Sequence, residues 1–336
     1  MDKLIAALDA ALREIVTAPD PAYEKYYGMF RYHLGWVNEN FAPTQADTGK
    51  HFRALLALLS CQAVSGDWKN ALPLAAAIEL AHNFSLIHDD IEDASDARRG
   101  RATVWKVWGL AQGLNAGDGM FVVARRALHR LSANGIGAEK LVQILKEFDH
   151  MTLALCQGQF LDISFETRLD VSVADYLQMI RGKTAALVSA ATKLGARVGT
   201  NAERVIAAFA QFGENIGLAF QISDDILGMW GDPEITGKPA WTDIFAKKKS
   251  LPALIALNDA RDGAALRAIY AKPALDATDA VRVLEILDAL NARAHAQNRA
   301  DEFRVAAEDA LNRTGIQNDA INQIRELARM MTRRIR

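Results

Sequence analysis

Five aspartates in two short segments are the side chains of this 336-residue chain best placed to do chemistry. In LIHDDIEDASD, Asp89 and Asp93 stand four residues apart and share one face of a helix, while Asp90 is turned about a hundred degrees away. Like charges so placed repel. An apolar helix that carries them makes sense with a hard cation between the carboxylates, and oxygen ligands together with phosphate suit Mg²⁺. Taken singly, the segment also reads as a solvated helix end paired with Arg98 and Arg99. An EF-hand loop is excluded, because the spacing D-x-D-x-D-G is absent around Asp89. Later in the chain, QISDDILGMWGD repeats the logic with Gln221, Asp224 and Asp225 on one helix, and this recurrence favours the cation. Two facing acidic helices would clamp several Mg²⁺ ions able to neutralise a diphosphate leaving group. Bases suited to diphosphate accompany them: Lys50 with Arg53, Arg98 with Arg99, Lys183, Lys238 and Lys248.

The elements that must hold these residues are helical. Leu4, Leu8, Leu12 and Ile15 recur at spacings of three and four, as do later Ala/Leu/Ile-rich stretches, and strand signals are almost lacking. Ten or more helices are expected, with loops at Gly/Pro/Asp clusters such as Gly231 to Pro239. No low-complexity linker or fixed-period repeat appears, and the motifs run from residue 49 to 250, so the expectation is one all-α domain with one central site. Half of the residues are hydrophobic, enough for a sizeable core. The formal charge of −2 gives no global pull toward nucleic acid or anionic membrane. Cys61 and Cys156 form no C-x-x-C pair and predict a reduced, cytoplasmic protein. The N-terminus lacks the pattern of a signal peptide, no apolar run is expected to reach spanning length, and no stable membrane insertion is expected.

Together these residues resemble the trans-isoprenyl diphosphate synthases, the polyprenyl synthetases. SLIHDDIEDASDARRG at 85–100 is similar to the family's first aspartate-rich motif with its arginine pair, and QISDDILGMWGD at 221–232 to the second. GKHFR at 49–53, His82, the pair Gly117 and Asp118, GQFLD at 158–162, KT at 183–184, GKP at 237–239 and KKSLP at 248–252 follow in the family's order. The resemblance covers most of the chain and implies the isoprenoid synthase fold, a helical bundle around a central cavity, in a homodimer. It implies that Asp89, Asp93 and Asp224 are the main ligands of three Mg²⁺ ions per site, with Asp90 and Asp225 in support. By the same resemblance Arg98, Lys183, Thr184, Gln221, Lys238 and Lys248 line the allylic diphosphate site. Isopentenyl diphosphate would sit on Gly49, Lys50, Arg53, His82 and Arg99. Two departures stand out: His51 replaces the usual Arg after GK, and Gly228 replaces the third acid of the second motif. With Asp224 as the ligand and the bases intact, the chain is expected to be active, and an Asp restored at 228 to change activity modestly.

The implied chemistry is ionisation of an allylic diphosphate, attack by the double bond of isopentenyl diphosphate, and loss of a proton to the diphosphate. No side-chain nucleophile is needed, and no Ser/His/Asp or Cys/His constellation is found. Nucleotide-binding readings fail on spacing: Gly182, Lys183 and Thr184 end a Walker A loop, but Leu177 stands where its first glycine belongs, and Val122 breaks the GxGxxG begun by Gly117. A terpene cyclase would not need the isopentenyl site, and a non-catalytic regulatory subunit would show eroded acids or bases. Phe84 lies five residues before Asp89, about 7.5 Å deeper along the helix. By the resemblance, an aromatic ring there stops chain growth near twenty carbons, which predicts geranylgeranyl diphosphate, with farnesyl or geranylfarnesyl diphosphate as neighbours.

Overall fold

The structure, a computed structural model, describes residues 1–44, 46–231, 241–261 and 263–332. Helices dominate it, and they group into two compact units: Met1–Asp149 with Ala191–Ala202 and Asn318–Ile321, and the remainder from His150 onward. The helical period predicted at the N-terminus is realised in α1 (Asp2–Ile15), which buries Leu4, Leu8 and Leu12.

The first unit continues with α2 (Glu24–His33) and α3 (Phe52–Ser65), the latter buried on nearly all sides and stopped by Gly66 at φ 82°. Pro73 at the start of α4 (Leu72–Glu92) occupies a position whose N–H needs no intrahelical partner. This helix is the unit's spine, contacting α1, α3, α5 (Val104–Trp108) and α6 (Leu110–Leu128). Close approach of α4 and α6 depends on small residues. A Cβ on Gly117 would lie 2.1 Å from His88 Nε2, so this glycine, read in sequence as part of a family motif, makes room for a histidine beside the acids. Between α4 and α5 a hairpin pairs β1 (Ala97–Arg98) with β2 (Arg101–Ala102). Arg99 and Gly100 form its two-residue turn, both at positive φ as such turns require.

The division between the units falls within α7 (Ala138–Phe165), α9 (Ala186–Gly199) and α16 (Asp319–Thr332). In the second unit, α8 (Val173–Ile180) starts with a capping box between Ser172 and Asp175 and runs into a turn of π-helix at Arg181–Ala185. The long α10 (Glu203–Trp230) packs along α15 (Ala292–Asn312), which presents Ala292, Ala296, Ala300, Ala307 and Ala310 as buried small residues. Between them in the chain come α11 (Thr242–Phe245), α12 (Leu251–Leu257), α13 (Gly263–Tyr270) and α14 (Ala277–Ala289). One expectation is corrected here: at 28 residues α10 is long and apolar enough to cross a membrane. More than half of its apolar window is buried within the protein, as in a core helix.

Candidate active site

In the first unit the acidic motif forms the C-terminal end of α4. Asp93 caps the helix, its N–H bonding the Asp89 carbonyl at 2.9 Å, and Ala94 at φ 49° turns the chain into the hairpin. The hairpin returns Arg98, whose Nε donates to Asp90 Oδ1 at 2.7 Å. Burial pushes the Asp90 carboxyl upward in pKa and the Arg98 guanidinium opposes it, while Oδ2 is buried without a hydrogen-bond partner among the described residues. Asp89 is half-buried and Asp93 exposed. The inner acid of the motif is therefore bonded to Arg98, while Asp89 is partly and Asp93 largely open to solvent.

Beside it lies a cleft lined by Arg98, Arg99, Arg101, His33 and Asp47. Gly49 has φ 83°, a conformation that favours glycine, and a Cβ there would meet Arg99 Nη2 at 2.8 Å, so the guanidinium lies directly against this backbone. Burial and the charges of Arg53, Arg99 and Arg98 push His82 well below the usual imidazole range; its neutral Nε2 lies 3.3 Å from the Arg53 Nη1 donor. Burial and the arginines at 98, 99 and 101 likewise push His33 down to about 3. Neutral imidazoles among guanidinium groups make a cleft fit for an anion. Lys50 is exposed, its Nζ 5.8 Å from the centre of the Phe52 ring. His51, at φ 50°, places Nδ1 3.0 Å from Glu79 Oε1 on α4, so the residue that departs from the family pattern partners a buried acid.

Phe84, 6% exposed, sits five residues before Asp89 on α4 with its ring 5.2 Å from that of Phe121 on α6 and edge-on to His88 at 6.0 Å. The sequence reading named Phe84 alone. Phe121 was missed because pairing across two helices leaves no local spacing signal.

In the second unit Asp225, on α10, is fully buried and ringed by donors. Its Oδ2 accepts from Tyr176 OH at 2.7 Å and from the Leu251 N–H that begins α12 at 3.2 Å; Oδ1 accepts from Gln221 Nε2 at 2.9 Å. Thr184 Oγ1 donates in turn to Gln221 Oε1 at 2.7 Å. Burial pushes the Asp225 carboxyl up, and Lys248, with its Nζ 3.7 Å away, pulls it down. Asp224, the preceding residue, is half-buried. Lys183 ion-pairs with Asp162 of the GQFLD segment. Backbone contact fixes that pair: a Cβ on Gly158 would lie 2.0 Å from the Lys183 nitrogen, so α7 touches the π-turn, an irregularity common at functional sites. Tyr176, Asp162 and Asp243 belong to this cluster, and none was singled out from sequence. Asp162 at least ends a segment that the sequence reading quoted. Lys238 lies outside the described residues.

Burial works against the charge of Lys248, but Asp243, Asp225, Asp224 and Asp162 outweigh it and hold its pKa above the ordinary lysine range. Four carboxylates thus act on Lys248, one of them also paired with Lys183, an excess of negative charge that suits a hard divalent cation with oxygen ligands. Among the described residues no three His, Cys, Asp or Glu side chains converge as a ready metal cluster. The carboxylates present fit Mg²⁺ held jointly with ligand oxygens, because this cation is commonly bound through one or two carboxylates together with the phosphate oxygens of a substrate.

These acids and bases on an all-helical fold are the ones that the resemblance to the trans-isoprenyl diphosphate synthases, a class of prenyltransferases, implies. The polyprenyl synthetase family model matches residues 35–287, and the chain belongs to that family. It is 41% identical over 285 residues to a geranylgeranyl diphosphate synthase of Mycobacterium tuberculosis, covering 84% of this chain and 80% of the relative. A geranylfarnesyl diphosphate synthase of Aeropyrum pernix is 37% identical over 79% of this chain and 83% of its own. Among solved structures, a polyprenyl synthetase from Streptomyces coelicolor superposes with a TM-score of 0.89 at 32% identity, covering 98% of both chains. A geranylgeranyl pyrophosphate synthase from Corynebacterium glutamicum, complexed with isoprenyl diphosphate and magnesium, gives 0.80 at 29% identity over 99% of this chain and 97% of that one.

Proposed function

We propose that this prenyltransferase carries out the Mg²⁺-dependent head-to-tail condensation of isopentenyl diphosphate with an allylic prenyl diphosphate, and that its main product is the C20 geranylgeranyl diphosphate. The observation that carries the reading is the division of labour within each acidic motif. Asp90 and Asp225 are buried and bonded to protein donors, whereas Asp89 and Asp224 are half-buried and Asp93 is exposed. These three would hold Mg²⁺, three ions per site in our reading, and bound Mg²⁺ would neutralise the charge that develops on a departing diphosphate.

The chain's own groups do the rest. Lys183 and Lys248, with Thr184 and Gln221 beside them, supply cations and donors for the allylic diphosphate, and Lys238 belongs to the same set. Arg98 braces Asp90 and contributes its charge to the adjoining cleft. Arg53, Arg99, Lys50 and the backbone at Gly49 hold isopentenyl diphosphate, with His82 neutral and accepting from Arg53. No side chain need act as nucleophile, because the substrate double bond attacks and the released diphosphate takes the proton. The paired rings of Phe84 and Phe121 support a floor for the growing tail, and the Mycobacterium relative's activity agrees with a C20 product. A homodimer is supported by exposed apolar residues at helical spacing on α7, Leu153, Phe160 and Ile163, of which Phe160 is 69% exposed.

The test is to incubate the purified chain with Mg²⁺, isopentenyl diphosphate and dimethylallyl, geranyl or farnesyl diphosphate, and to identify products by mass spectrometry. A C20 diphosphate from all three primers is expected. A cyclised hydrocarbon would favour a cyclase, and no product from any primer would favour a non-catalytic subunit.

A further inference from the structure

His51 stands where related patterns carry an arginine, and its ring joins a loop to a helix beside the arginine cleft. The residue leads into α3 at φ 50°. Its Nδ1 lies 3.0 Å from Glu79 Oε1 on α4, and its Nε2 lies 3.2 Å from Thr48 Oγ1, in the loop that carries Gly49 and Lys50. Asn83 Nδ2 donates to the same Glu79 oxygen at 3.2 Å. Glu79 is only 3% exposed, so its charge must be met by protein groups, and the imidazole does so at hydrogen-bond distance. The loop is itself braced, with Asp47 Oδ1 accepting from the Gly49 N–H at 2.8 Å, and Arg99 lies against the Gly49 backbone. The charge of Glu79 acts on Arg99 as well, together with those of Asp47, Asp90 and Arg98. Three elements bear on the His51 ring: Glu79 of α4 and Asp9 of α1 favour its charged form, and Arg99 of the hairpin turn opposes it.

We propose that His51 is a positioning residue for isopentenyl diphosphate, which as a cation neutralises Glu79 and pins the Gly49 and Lys50 loop, and as a neutral ring leaves the buried Glu79 charge to act on Arg99. In the charged form both ring nitrogens carry a proton, one facing Glu79 and the other Thr48, and the pair with Glu79 sums to zero. Loss of one proton leaves a net negative charge beside Arg99, where it draws on the guanidinium and repels an incoming diphosphate. An arginine at 51 could not make this change, because a guanidinium stays charged throughout the pH range of proteins. The hydrogen bond and charge of Glu79 outweigh burial and raise the His51 pKa, so the charged form prevails at and below the ordinary value of about 6.5 and is lost at higher pH. The substitution thus makes affinity for this substrate depend on pH where the family's usual residue would not. This role rests on the isopentenyl diphosphate site proposed above.

The experiment measures KM for isopentenyl diphosphate and kcat, in saturating geranyl diphosphate and Mg²⁺, from pH 6 to 9. Parent, His51→Arg and Glu79→Gln are compared, each shown to be folded by circular dichroism. Titration of the substrate itself is common to all three and cancels in their ratios. The KM of the parent relative to His51→Arg should lie within about twofold of one at pH 6 and climb about 3–10-fold by pH 9, while the kcat ratio stays flat. Glu79→Gln removes the charge that a neutral ring exposes, so its KM relative to His51→Arg should not climb, and it serves as the reference if His51→Arg fails to fold. A parent ratio that is flat with pH would overturn the proposal. A Glu79→Gln variant whose KM climbs as the parent's does would overturn it too, because Glu79 would then not be the source of the effect. If the imidazole merely packed the loop against α4, both variants would raise KM by a constant factor at every pH, a result equally fatal to it. A parent that forms no isopentenyl-dependent product at any pH would instead contradict the prenyltransferase reading itself, and the role of His51 with it.

Discussion

Replacing Asp225 by Ala should cost stability, whereas replacing its neighbour Asp224 should not. Asp225 accepts hydrogen bonds from Tyr176 OH, Gln221 Nε2 and Leu251 N–H, and stands opposite Lys248. Removing the carboxylate orphans the first three donors, two of them in the core, at about 1–3 kcal/mol for each buried group left unsatisfied. Gln221 is half-buried and can turn toward water, and Lys248 keeps Asp243, so a net loss of about 3–5 kcal/mol is expected, the range for breaking a buried pair. At about 2.1 cal/mol/K of unfolding entropy per residue, this lowers the melting temperature by roughly 4–7 °C. Tyr176→Phe removes one bond to a charged group and should cost about 1.5–3 kcal/mol. Asp224 accepts no hydrogen bond among the described residues and acts on Lys248 only as one of four charges, so Asp224→Ala should melt within about 1 °C of the parent. Differential scanning calorimetry in metal-free buffer measures all three. If Asp225→Ala melted with the parent while Asp224→Ala melted several degrees lower, the division into an inner structural acid and an outer cation-facing acid would be refuted.

Phe84→Ala should shift products beyond C20 while leaving Mg²⁺ dependence intact, and Phe121→Ala should do so to a lesser degree because its ring is the more exposed of the pair; an unchanged product distribution by mass spectrometry in both would remove the rings as the floor. The His51–Glu79 contact should make stability depend on pH. Burial works to lower the His51 pKa, but the Glu79 hydrogen bond and charge outweigh it and raise it above the ordinary value. A raised histidine pKa stabilises the fold fully below the unfolded value of about 6.5, and that stability is lost as pH climbs through the folded value. Urea unfolding of parent and His51→Gln from pH 5.5 to 9 should therefore show a decline toward alkaline pH in the parent that the variant lacks; parallel profiles would contradict it.

Much of the site was legible because its acids sit on helices, where a spacing of four fixes a shared face. Asp89 with Asp93 could be placed in that way, Gln221, Asp224 and Asp225 could be assigned to one helix, and the leucines of α1 gave the core face from period alone. The order of the basic segments added the family. What sequence did not show were partners fixed by tertiary contact. Tyr176 reaches Asp225 from another helix, Asp162 reaches Lys183 across a glycine contact, and Asp243 enters the space left by Gly228. In each case the two residues lie far enough apart in the chain that no local period links them. Gly117 and Gly158 were noticed as motif members, but their reason is steric: one admits the His88 ring and the other the backbone at Lys183.

The most direct test of the account is the turnover of Asp89→Ala and Asp224→Ala with isopentenyl and farnesyl diphosphates, measured on protein shown by calorimetry to be folded. In the proposed mechanism the outer carboxylates would hold the Mg²⁺ that neutralises charge developing on the departing diphosphate, and such stabilisation contributes several kcal/mol, with a factor of ten in rate for each ~1.4 kcal/mol. Both variants should fall by about 10²–10⁴-fold, and EDTA should abolish turnover in the parent. Parent-like rates in either folded variant, or full activity in EDTA, would contradict the account.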